Sequence, residues 1–113
     1  MYGLIGKMTA KPGQRDALAE VLLDGVSGMP GCLSYVVALD PTNADALWIT
    51  EVWDTKESHE ASLLLPAVKD AIARGMPLIA GMDASTVTEP VGGHGLRSAV
   101  ERQDHRAEQT IIG

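Results

Sequence analysis

The sequence contains no phenylalanine, and its only large aromatic side chains are Tyr2, Tyr35, Trp48 and Trp53. The core must therefore be built from Leu, Val, Ile, Met and Ala, and any flat binding platform has to use one of those four rings. A single cysteine, Cys32, excludes an internal disulfide. No apolar run approaches the roughly 18 residues that a membrane-spanning helix requires. Basic side chains are in the minority, 9 against 15 acidic ones, for a formal charge of -6. Lys7, Lys11, Arg15, Lys56, Lys69 and Arg74 are scattered, and Arg97, Arg102 and Arg106 alternate with acids. That distribution repels phosphate backbones and argues against nucleic-acid binding. The opening residues Met1 to Ile5 have neither the basic region nor the long apolar stretch of a secretion signal, so the expected location is cytoplasmic, with no membrane attachment.

Motifs that hold metals and nucleotides are missing too. There is no Cys-x-x-Cys pair and no His-Glu-x-x-His. Gly92-Gly93-His94-Gly95 follows an expected last strand rather than opening a helix, which is the wrong context for a phosphate loop. The expectation is a protein with no bound metal, flavin or nucleotide.

What is present reads as one α+β domain, the size that 113 residues allow. Residues 2–11 alternate as a strand and end at Pro12-Gly13. Leu18, Val21 and Leu22, joined by Ala17 and Gly25, recur at helical spacing, with Arg15, Asp16, Glu20 and Asp24 off that stripe. Gly28-Met29-Pro30-Gly31 closes the helix, and residues 32–39 form a second strand. A polar connection, residues 40–45, leads to the strand 46–54, whose apolar residues lie on both faces: Trp48 and Val52 on one, Leu47, Ile49 and Trp53 on the other. Thr55 is the expected N-cap of a helical stretch with an apolar ridge at Ala61, Leu64, Leu65, Val68 and Ile72. Pro66 removes a backbone donor and predicts two short helices meeting near Leu65. Residues 84–91 read as the last strand.

The order is β-α-β-β-α-β, a ferredoxin-like domain over residues 1–91 with a four-stranded antiparallel sheet. Helices of this arrangement cover one face of the sheet only. A strand apolar on both faces then calls for a second copy packed against the open face, which predicts a homodimer. Residues 92–113 form a tail that is either disordered or an arm on the partner subunit.

These features resemble the antibiotic biosynthesis monooxygenase and quinol monooxygenase family, whose members are dimeric α+β barrels. The resemblance spans about residues 2–91 and rests on Pro12-Gly13, on Gly31-Cys32-Leu33-Ser34-Tyr35, on Ile49-Thr50-Glu51-Val52-Trp53-Asp54-Thr55-Lys56-Glu57 and on Pro77-Leu78-Ile79. It implies a cofactor-independent monooxygenase that oxidises an aromatic quinol, phenol or anthrone-like substrate with O2. The alternative within the same fold is a non-catalytic ligand-binding or accessory barrel. Two departures stand out. Where many members carry histidines in the helix after the tryptophan, this chain has Ser62 and Pro66, with His59 one turn earlier. The positions matching those that hold haem in the haem-degrading relatives are Lys7, Ala61 and Asp70, which disfavours that branch.

His59 is the candidate base, because an imidazole with an ordinary pKa near about 6.5 can take a phenol proton. The bland reading of His59 is a solvent-facing helix residue. Glu51 and Trp53 share a face of the third strand: Glu51 to orient the histidine or bind a hydroxyl, Trp53 to stack on a flat substrate or simply to fill the core. Tyr35 offers a hydrogen bond to a quinone or enolate oxygen, or is a core tyrosine. Ser62 and Leu65 complete the expected substrate contacts. Cys32 has no nearby base and reads as a packing residue.

Overall fold

The computed structural model describes residues 1–26 and 28–96; the expected tail from residue 97 onward lies outside them. Strand β1 (Tyr2–Ala10) leads through the Pro12-Gly13 turn, where Gly13 takes the left-handed φ of 78°, into helix α1 (Arg15–Asp24). Strands β2 (Cys32–Leu39) and β3 (Ala46–Trp53) form a hairpin. Helices α2 (Lys56–Ser62) and α3 (Pro66–Gly75) follow, then a single 3₁₀ turn (Met76–Leu78) and strand β4 (Ile79–Thr88). The sheet order is β2-β3-β1-β4 and every pair is antiparallel. This is the expected ferredoxin-like arrangement.

Local chemistry explains the boundaries. The Thr55 hydroxyl accepts the Ser58 backbone N–H at 3.1 Å and starts α2. Pro66 occupies the first turn of α3, where its missing N–H costs nothing, so the helical stretch divides as its sequence predicts. In the β2–β3 connection, Asp40 Oδ1 accepts both the N–H and the hydroxyl of Thr42, each at 2.8 Å, and Asn43 Oδ1 accepts the Asp45 N–H at 3.0 Å. Arg15 ties α1 to this hairpin, its Nη1 donating to the Asn43 carbonyl at 2.8 Å and the Asp40 carbonyl at 3.1 Å.

Two expectations are corrected. The last strand starts at Ile79, five residues before the expected 84, and ends at Thr88. Its pairing with β1 shifts register between Lys7 and Met8 and again between Thr9 and Ala10, which breaks the alternation that reveals a strand in sequence. The expected ridge on α2 and α3 is not the buried face either, since Leu64 and Ile72 are exposed while Ala71 and Gly75 are buried. Helices α1 and α3 meet through small residues: a Cβ on Gly25 would come within 2.6 Å of the Ala71 Cβ. The core beneath α1 joins Leu18, Leu47, Ile49 and Ala10. On the opposite face Trp48, Ile5 and Val36 remain exposed.

Candidate functional site

Because side chains alternate along a strand, Glu51 and Trp53 of β3, Tyr35 of β2 and Met8 of β1 all point toward the helices. The close approach of α1 and α3 does not fill the space above them. A cavity of about 340 Å³ remains, lined on the sheet side by those four residues with Ile79 and Met82 of β4, and on the helix side by Leu18, Leu22, His59, Ser62, Val68, Ala71 and Ile72. That volume falls within the range of small-molecule sites, and the lining has the usual composition of many apolar groups and few polar ones.

The polar groups gather at one end. Trp53 Nε1 donates to Glu51 Oε1 at 3.0 Å, and His59 Nε2 lies 3.9 Å from the same oxygen. The imidazole packs against two rings: Trp53, edge-on at 69° with centroids 5.3 Å apart, and Tyr2, tilted at 35° with centroids 5.7 Å apart. His59 is therefore not a solvent-facing helix residue; one-fifth of its side chain is exposed. Ser62 is buried on the next turn, and its hydroxyl donates to the His59 carbonyl at 2.6 Å, so its proton is committed to the helix.

Electrostatics divide the roles. Burial pushes the Glu51 carboxyl above the ordinary carboxylate range, against the opposing pull of the Trp53 N–H and His59. Burial, followed by the neighbouring Glu51 and Cys32, pushes the Tyr35 phenol well upward, so Tyr35 keeps a proton that it can donate. The Cys32 thiol is raised by burial as well, the reverse of what a nucleophile requires.

The expected site residues fare unequally. His59, Glu51, Tyr35, Trp53 and Ser62 are brought to one cavity. Trp53 is 1% exposed and serves as wall and hydrogen-bond donor rather than as an open stacking platform. Leu65 is not among the residues lining this cavity. It is the extended N-cap residue of α3, at φ -68° and ψ 136°, and Leu63 stands at the cavity instead. Tyr2 was expected as a strand residue and one of four possible platform rings, with no site role; its place beside His59 follows from its pairing with Trp53, which the sequence does not display. Among the described residues no three His, Cys, Asp or Glu side chains converge as metal ligands.

An α+β fold with this helix-covered cavity defines a small ferredoxin-like domain. The sequence profile of the antibiotic biosynthesis monooxygenase family matches residues 1–74. A candidate antibiotic biosynthesis monooxygenase from Chloroflexus aurantiacus is 68% identical, with 85% of this chain and 98% of that one covered and a TM-score of 0.84. Candidates of the same description from Caulobacter crescentus (20% identity, 80% and 90% covered, TM-score 0.73) and Nitrosomonas europaea (13%, 81% and 100%, TM-score 0.73) share the fold. No protein of curated function matches the sequence. The chain belongs to the antibiotic biosynthesis monooxygenase family. No helix among the described residues is long and apolar enough to cross a membrane.

Proposed function

We propose that the chain is a cofactor-independent monooxygenase of the cytoplasm that oxidises an electron-rich phenol, quinol or anthrone-like ring with O2. The observation that carries this reading is the pairing of His59 with Glu51 at 3.9 Å inside an otherwise apolar cavity. His59 takes the proton from the substrate, and Glu51 stabilises the imidazolium that forms. Tyr35 donates to the oxygen on which negative charge develops. The apolar wall excludes water, and the resulting carbanion reduces O2 itself. For an anthrone the balance is closed: the ring CH2 and O2 become a carbonyl and water, one oxygen atom going to each product.

The working form is a homodimer. On the sheet face away from the helices, Trp48 (36% exposed), Ile5 (38%) and Val36 (51%) form an apolar patch that a second copy would cover.

Oxygen uptake with a panel of quinols and anthrones, using metal-stripped protein, tests the reaction. Uptake above the autoxidation blank is expected, falling about 100-fold or more in His59→Ala. Uptake equal to the blank across the panel would remove the oxygenase reading and leave a ligand-binding barrel. A rate unchanged in His59→Ala would keep the reaction and discard the base.

A further inference from the structure

Four of the five methionines in the chain, Met8, Met29, Met76 and Met82, line the one cavity described above. They are not equivalent. Met29 is buried at 9% exposure and Met8 is half-buried, whereas Met76 and Met82 are each 62% exposed. A residue that lines a cavity and is also open to solvent stands at its mouth. The mouth therefore carries two thioether side chains largely open to the surrounding water, and Met76 follows directly on α3 while Met82 lies on β4.

Thioethers suit an apolar entrance because they are flexible and polarisable, but they are also chemically alterable. Hydrogen peroxide supplies the oxidant. A sulfur lone pair attacks one peroxide oxygen, the S–O bond forms as the O–O bond breaks, and the second oxygen leaves as water. Sulfur is oxidised and peroxide reduced by the same electron pair. The product is a polar sulfoxide at a position where an apolar ligand must pass or rest, and desolvating that group disfavours binding.

We propose that Met76 and Met82 form a peroxide-sensitive rim, and that their sulfoxidation closes the cavity to apolar aromatic ligands. This modification site stands apart from the oxygenase reading, because it depends only on the cavity and needs no turnover.

The test uses N-phenyl-1-naphthylamine, a neutral aromatic dye that brightens in apolar sites, titrated into full-length protein before and after peroxide. The dose is set by peptide mass so that Met76 and Met82 carry oxygen while Met8 and Met29 do not. Dye affinity is expected to fall about tenfold in the wild-type chain. In Met76→Leu/Met82→Leu, which keeps the rim apolar and cannot be oxidised there, affinity should stay within about twofold across the same treatment. Met76→Gln/Met82→Gln should bind weakly without any peroxide. Three results would overturn the proposal: unchanged affinity after both sulfurs are oxidised, equal loss in the leucine variant, or no dye binding by the untreated protein.

Discussion

Two tryptophans on β3 donate their indole N–H to a carboxylate at the same distance, 3.0 Å: Trp53 to Glu51 and Trp48 to Asp40. The two acids respond in opposite directions. Asp40 is pulled down to about 2 because it also accepts the backbone N–H and hydroxyl of Thr42 and lies 3.7 Å from the Lys7 ammonium. Glu51 is pushed upward because burial outweighs the Trp53 N–H and the nearby imidazole. One hydrogen bond of fixed length does not set the behaviour of an acid; the balance between the other donors it accepts from and its desolvation does, with Thr42 deciding at Asp40 and burial at Glu51. The first pair belongs to the open sheet face and fixes the β2–β3 hairpin. The second belongs to the cavity and sets a desolvated carboxyl 3.9 Å from the His59 imidazole.

The contrast should break most visibly at the tryptophans themselves. Trp53→Ala empties the wall between sheet and helices and is expected to cost about 3–5 kcal/mol in denaturant unfolding. Trp48→Ala leaves that core intact. Its main effect should be weaker self-association, read by sedimentation, and a comparable loss of fold stability at both positions would contradict the assignment of the two faces.

Glu51→Gln sharpens the comparison at the cavity. The carboxamide oxygen still accepts the Trp53 N–H, so the wall is kept while the charge is lost. Oxygen uptake should fall about 100-fold. Stability should move the other way. A carboxyl whose folded pKa is raised costs stability as the pH climbs past its unfolded value, so the variant at neutral pH should unfold at equal or higher denaturant than the wild type.

The smallest effect belongs to Asp40. Its folded pKa of about 2 lies below the ordinary 3.8. The stabilisation it provides is fully present above the ordinary value and is lost as the pH falls toward about 2. Asp40→Asn should therefore flatten the acid limb of the stability profile in that window, as followed by unfolding at successive pH values. An unchanged limb would remove the Thr42–Asp40–Lys7 cluster from the account.

Much of this arrangement was legible in the sequence. Alternation placed Glu51 and Trp53 on one face and Trp48 on the other, and Pro66 divided the helical stretch correctly, because both features are local. The start of β4 was hidden because its bulges disrupt the period, and Gly81 and Asp83 carry no strand preference. Burial on α3 was misread because an apolar ridge is not the only way to pack a helix: Gly25 and Ala71 draw α1 and α3 close, while Leu64 is left outside and Ile72 stands half-open at the cavity. The position of His59 against Tyr2 and Trp53 depends on contacts between distant segments. No spacing in the sequence encodes it.

The central claim is that Glu51 and His59 work as one unit, and the oxygen-uptake rate across the double-mutant cycle of Glu51→Gln and His59→Ala tests it most directly. Each single variant should lose about as much rate as the double variant. Losses that multiply in the double variant, or a single variant that keeps the wild-type rate, would contradict it.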